Sequence, residues 1–298
     1  MLFIRLFGSP RLSLDQQPLP FNGPPKTLPL LAYLLLHRSQ SLERQQIAFT
    51  LWPDDPEPAA RANLRRHLHW LGRLLPDLPD SHAQPWLLSS PSTIQWNPRS
   101  EYWLDVAEFE RSCADSNALA DAASLYAGDL LETSYDDWIF FERERLRELY
   151  FAALIRLIIQ QRCARQYSQA LASAQLLLSR DPFREDAVRQ VIALRYEMGD
   201  RAGAIAEYER FAQRLQQEMG VAPMPETLAL NETVLRQGRL AGMFPSPAVE
   251  AAEPAGQPPI LRSTTLLPFV GRQREIERLQ ARWSRAARGT SGSAGGLL

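Results

Sequence analysis

Apolar positions along this chain follow two rhythms, and the change between them organises it. The opening alternates, which predicts half-buried strands over Leu2–Phe7 and Arg11–Asp15 joined by the turn Gly8-Ser9-Pro10. From Lys26 to His37 the period lengthens to that of a helix, with Leu30, Leu31, Leu34 and Leu35 on its buried side. Ser41 reads as the N-cap of a second helix, Leu42 to Trp52, which Pro53 closes. Asp54-Asp55-Pro56-Glu57-Pro58 reads as a loop, because two prolines in three positions oppose helix propagation. A third helix over residues 60–75 follows. Strands Trp86–Ser89 and Thr93–Asn97 then flank the turn Ser90-Pro91-Ser92.

Strands, three helices and a closing hairpin predict a winged helix-turn-helix with an extra N-terminal sheet, in which residues 60–75 are the third helix and the hairpin is the wing. From about Asp105 the pattern is almost purely helical. Two segments repeat at the tetratricopeptide period of about 34 residues, aligning Tyr167 with Arg201 and Ala170 with Ala204. Asp181-Pro182 ends the first repeat, and the second lacks that proline. The fold class expected is therefore mainly α: a winged helix with a small β-sheet and wing hairpin over residues 1–98, then an all-α tetratricopeptide-like repeat domain over 99–240. Residues 241–266, with Pro245, Pro247, Pro254, Pro258 and Pro259, read as a linker.

Composition sharpens this picture at a few points. Hydrophobic residues make up 45% and charged residues 22%, ordinary for globular protein. Residues 1–98 carry nine basic and seven acidic groups, residues 99–259 carry 17 and 25, and the remainder seven and two. An acidic middle suits protein partners better than DNA. Cys113 and Cys163 are the two cysteines, which argues against a disulfide framework and fits a reducing cytoplasm. No apolar run is long enough to suggest a membrane span or membrane partner, and the start reads as a strand rather than a signal peptide.

The positive charge of the first segment gathers on the third helix. From Ala59 to Pro76 stand Arg61, Arg65, Arg66, Arg73, His67 and His69, without one acid. At 100° per residue, Leu64, Leu68, Leu71 and Leu75 share a stripe, and Ala62, Arg66, His69, Trp70 and Arg73 fall opposite. One face for a core and one cationic face is what a major-groove reader requires, although a solvated surface helix shows the same pattern. The four histidines have no metal-ligand spacing with the cysteines. There is no nucleophile elbow and no G-x-x-x-x-G-K-[ST] phosphate loop, so neither an enzyme nor a bound metal or cofactor is expected.

Several spaced motifs carry a family resemblance. They are Leu51-Trp52-Pro53-Asp54 leading into Arg61-Ala62-Asn63-Leu64-Arg65, Leu125-Tyr126-Ala127-Gly128-Asp129-Leu130-Leu131 before Tyr135-Asp136-Asp137-Trp138, Glu142 through Tyr150, Asp181-Pro182-Phe183-Arg184-Glu185, and Glu218-Met219-Gly220-Val221-Ala222-Pro223. Over residues 1–240 the chain resembles the Streptomyces antibiotic regulatory protein family, in which an OmpR-like winged helix precedes a bacterial transcriptional activation domain. The resemblance implies a cytoplasmic, nucleoid-associated transcription activator that binds tandem direct repeats in double-stranded promoter DNA, pairs on that DNA and recruits RNA polymerase. It implies that Arg65, Arg66, His69 and Arg73 lie near DNA, with Arg61 and Trp70 on the same helix and Arg44 and Asn63 as phosphate contacts. Asp54, Asp55 and Glu57 stand where OmpR-like proteins touch polymerase. The wing turn Ser89–Ser92 carries no lysine or arginine, Arg99 being the nearest. Residues 267–298 resemble the opening of a signal-transducing nucleotide-switch ATPase stopped before its phosphate loop; a disordered basic tail is the alternative. The alternative for the whole chain is a helical-repeat adaptor without DNA binding.

Overall fold

The computed structural model describes residues 1–76, 85–240 and 243–244. Four short strands form the first sheet: β1 (Leu2–Arg5), β2 (Arg11–Leu14), β3 (Gln17–Leu19) and β7 (Tyr102–Leu104), in the order β3-β2-β1-β7. β1 runs antiparallel to β2 and parallel to β7. Leu2 and Ile4 point into the core, as the alternation predicts, and the strand ends at Arg5. β3 is the strand that hydropathy does not announce. Its turn is made by Asp15 and Gln16 in the left-handed region, at φ 46° and 71°, where a glycine or asparagine would ordinarily signal a hairpin. Pro18, which has no N–H to give a ladder, is accommodated because β3 is an edge.

The winged helix-turn-helix follows. Helices α1 (Thr27–Leu36), α2 (Arg44–Leu51) and α3 (Glu57–Leu74) precede a three-stranded sheet ordered β4-β6-β5, where β4 is Leu42–Glu43, β5 Leu87–Ser89 and β6 Thr93–Trp96. Two sequence expectations are corrected here. Ser41 does not cap α2: Leu42 pairs with Ile94 in the sheet, both buried, and α2 begins at Arg44 with no side-chain cap. Burial of a leucine in the ladder outweighs a cap bond. The acidic loop is also shorter than its prolines suggest. Pro56 caps α3 and Pro58 sits in its first turn, where the missing N–H has no helical partner to lose, so Glu57 is helical.

From Asp105 the chain is helical throughout its described part, in α4 (Asp105–Ala114), α5 (Leu119–Leu125), α6 (Asp137–Cys163), α7 (Tyr167–Arg180), α8 (Glu185–Glu197), α9 (Arg201–Met219) and α10 (Pro225–Leu235). Tyr167 and Arg201 open α7 and α9, and the aligned Ala170 and Ala204 are both fully buried, as close helix approach requires. The repeats differ where the sequence differs. Asp181-Pro182 stops α7, whereas α9 runs on to Gly220, whose φ of 70° supplies a left-handed cap.

No break in packing marks residue 98, where the two domains were expected to meet. One hydrophobic core runs from Leu2 to Leu194, and residues 1–247 are one compact unit. Asp105 explains part of this. Its buried carboxylate accepts hydrogen bonds from the N–H groups of Leu6, at 2.8 Å, and Phe7, at 3.0 Å, and from Val106 at 2.8 Å. The end of β1 is thereby fixed to the start of α4. The loop before α6 docks on the same edge: Gly8 N–H donates to Asp129 O at 2.8 Å and Leu131 N–H to Leu6 O at 2.9 Å. Arg143, buried on α6, holds that loop from behind by donating to the carbonyls of Leu130 and Ser134, each at 2.6 Å, and of Leu131. Two quoted motifs, Leu125–Leu131 and Glu142–Tyr150, thus form one structure, completed by Tyr126 stacked on Tyr150 at 4.3 Å.

The first helix of the winged unit is clamped to the helical part as well. Lys26 pairs with Asp136, Tyr33 meets the Trp138 ring edge-on at 5.1 Å, and Glu110 bridges Arg38 and Arg145 at 3.0 and 2.8 Å. A smaller cluster around Val188, Ile192 and Phe211 closes the repeat end, with Met243 and Phe244 packed on it. The rest of the expected linker and the whole of residues 267–298 lie outside the described residues.

Candidate nucleic-acid interface

Helix α3 separates its faces as its sequence directs. Ala60, Leu64, Leu71 and Leu75 are buried, each contributing about 1–3 kcal/mol of hydrophobic stabilisation for the leucines, while Leu68 is half-buried at the edge of the stripe. Arg61, Ala62, Arg65, Arg66, His69 and Arg73 are exposed. Glu57 is the single acid on this helix, and it pairs with Arg61 across one turn at 2.7 Å. Among the described residues, Arg65, Arg66 and Arg73 make no ion pair, so the outer face keeps uncompensated cationic charge. Trp70, expected on the outer face, is half-buried, with the Arg73 guanidinium over its ring at 5.6 Å.

His67 has an internal role that its place on a basic helix does not announce. It is buried and shares a hydrogen bond with Thr27 Oγ1 at 2.8 Å, and its ring lies 5.1 Å from that of Trp52. This places one contact each to α1 and to the end of α2 behind the exposed arginines. Burial foremost, then the neighbouring charges of Arg66 and Lys26, lowers its pKa below the ordinary histidine value, so the ring is held neutral. A histidine at the i+3 position after Leu64 was the available signal.

A chain of polar contacts braces the start of the exposed face. Asn63 Nδ2 donates to Asp55 Oδ2 at 2.7 Å, and Arg66 donates to Asn63 Oδ1 at 2.7 Å. Both ends of the Asn63 amide are therefore occupied by protein groups. Of the three acids in the loop, Asp55 serves this brace and Glu57 serves Arg61; Asp54 is exposed, with no side-chain partner among the described residues.

Arg44 belongs to the wing in space although not in sequence. Its Nε donates to Ser90 O at 2.9 Å and its guanidinium to Ser89 Oγ at 2.6 Å. Its own N–H donates to Ser92 O at 2.8 Å. The turn that lacks basic residues of its own thus carries a half-buried cation. Arg99 stands beyond the hairpin, its N–H bonded to Asn97 Oδ1 at 3.0 Å. Among the described residues no three His, Cys, Asp or Glu side chains gather as a metal site, and no helix is long and apolar enough to cross a membrane. Cys113 is buried, and that burial pushes its thiol up to about 12, which makes it unreactive.

Residues 105–235 match the model of the bacterial transcriptional activator domain. The transcriptional regulatory protein EmbR of Mycobacterium tuberculosis is 25% identical over 248 residues, covering 78% of this chain and 63% of EmbR. The regulatory protein AfsR of Streptomyces coelicolor is 25% identical over 281 residues, covering 91% of this chain and 28% of AfsR. The transcriptional regulatory protein MoaR1 of Mycobacterium tuberculosis is 24% identical, covering 78% of each. The chain therefore spans less than two thirds of the length of EmbR. A solved structure of Mycobacterium tuberculosis EmbR in complex with a low affinity phosphopeptide shares the fold, with a TM-score of 0.66 at 24% identity over 81% of this chain and 67% of that one. Over residues 105–235 the chain is thus similar to bacterial transcriptional activator domains, and over most of its length to transcriptional regulatory proteins.

Proposed function

We propose that this chain is a sequence-specific DNA-binding transcription activator that inserts α3 into the major groove of tandem promoter repeats. The observation that carries this reading is the exposed row Arg65, Arg66, His69 and Arg73, without acidic partners among the described residues, on a helix whose other face is fixed in a winged-helix core. Arg66 and Arg73 would supply base contacts, since a guanidinium can meet the O6 and N7 of guanine with two parallel bonds. Arg61, Arg65 and Arg44 would neutralise phosphates, with Arg44 acting from the wing. Asn63 would orient Arg66. Trp70 would support Arg73.

In this reading two copies meet on DNA, head to tail, and the exposed Asp54 and the helical domain contact RNA polymerase. The relatives EmbR, AfsR and MoaR1 are regulators by name, which supports the assignment at that level. Footprinting of the chain on its own upstream DNA tests it: two adjacent protected segments are expected, lost in Arg65→Glu/Arg73→Glu. Unchanged protection by that variant would remove α3 from the interface.

A further inference from the structure

A cavity of about 280 Å³ opens between α7, α8 and α9. Its floor is apolar, formed by Val188, Val191 and Phe211, all buried. Its rim is cationic: Arg195, Arg210 and Arg214 face one carboxylate, Glu207. That carboxylate is already divided, lying 2.6 Å from Arg210 and 3.8 Å from Arg195 Nε. Arg195 Nε is shut off from solvent and has no hydrogen-bond acceptor among the described residues, although its terminal nitrogen donates to Asp200 at 3.0 Å. Arg214 is exposed and makes no ion pair with any described residue. The rim is thus short of negative charge, within a stretch of chain that is otherwise acidic.

We infer that this cavity docks a short acidic segment of a partner protein, one apolar side chain on the Val188–Phe211 floor and flanking carboxylates on Arg210 and Arg214. The volume is at the low end of ligand sites, which run from about 300 Å³ upward, and suits one or two side chains. Guanidinium groups bind carboxylates with paired, charge-assisted bonds and so select acidic sequences over neutral ones. The inference deepens the partner-contact part of the reading above and is independent of DNA recognition, because α7, α8 and α9 lie outside the winged helix.

Selection of a random nonapeptide phage library on the full chain tests it, followed by anisotropy of the enriched peptide, labelled, with the wild-type chain and with Arg210→Glu/Arg214→Glu. Enriched sequences should place Asp or Glu within three positions of Leu, Ile or Phe. Affinity should fall at least about tenfold in the variant, a difference of about 1.4 kcal/mol. The variant should keep the wild-type helical circular dichroism and DNA affinity. Enrichment of basic or uncharged peptides, no enrichment, or equal binding by the variant would overturn the assignment. No DNA enters the peptide readout, so its failure is distinguishable from failure of the DNA-reading proposal.

Discussion

The guanidinium of Arg44 donates through Nε to the Ser90 carbonyl at 2.9 Å, bringing a cation from the first residue of α2 to the tip of a wing whose turn contains none. Charge on the wing is therefore decided by packing as well as by local sequence. Arg44→Ala should weaken binding to specific and random DNA alike and reduce the slope of log K against log salt by about one. A salt series at equilibrium measures it, and a wild-type slope in the variant would place Arg44 away from phosphate.

Arg66 is held by Asn63, which is held in turn by Asp55. Arg66→Ala should cost about 1–3 kcal/mol on specific DNA and relax preference at one base position, because the proposed bidentate guanine contact would be lost. Asp55→Ala should give a smaller loss of the same kind by freeing the brace. Competition against a panel of single-base variants of the site reads both.

Acid should loosen α3 from α1 through His67. Its folded pKa is lowered by burial, so between that value and the unfolded value of about 6.5 the unfolded chain binds a proton that the native chain refuses. The contribution is complete above about pH 6.5 and is lost as pH falls through the folded pKa. Urea denaturation from pH 7.5 to 5 should show this loss in the wild type and a flatter dependence in His67→Gln, which keeps a partner for Thr27 without titrating. Parallel curves would contradict the assignment.

Asp105 satisfies three backbone N–H groups at the joint between β1 and α4. Asp105→Ala leaves buried donors unpaired and should destabilise by about 3 kcal/mol, whereas Asp105→Asn, which keeps one acceptor oxygen, should cost less. Chemical denaturation orders the two variants.

The continuous core predicts one unfolding event for residues 1–194. Fluorescence from tryptophans in the winged part and far-ultraviolet dichroism from the helical part should give coincident transitions. Two separated transitions would show that the Lys26, Tyr33 and Arg38 contacts to α4 and α6 do not couple the halves.

Much of this architecture was legible in the sequence because it rests on local rules. The leucines of α3 recur at helical spacing, Gly8 and Pro91 punctuate turns, and the 34-residue offset between Tyr167 and Arg201 marks the two opening helices of the repeat pair. The face of α3 that carries the arginines followed from the same wheel. What was not legible depends on partners distant in sequence. β7 exists because β1 lies beside it, Ser41 lost its capping role because Leu42 meets Ile94, and Arg44 reached the wing across 46 residues. His67 looked like one more cation on a basic helix until Thr27 and Trp52 closed over it. The joint between the two parts was hidden for the same reason, since Asp105 and Arg143 act on backbone groups that no side-chain pattern reports.

Fluorescence anisotropy of the full chain against its own upstream promoter DNA and a shuffled control, across a salt series, decides whether this chain reads DNA. Binding to the promoter should be tighter than to the control, with affinity falling steeply as salt rises, as expected where several phosphates are neutralised at once. Absence of binding at low salt, or binding indifferent to salt, would contradict DNA reading and leave the helical domain as the working part of the molecule.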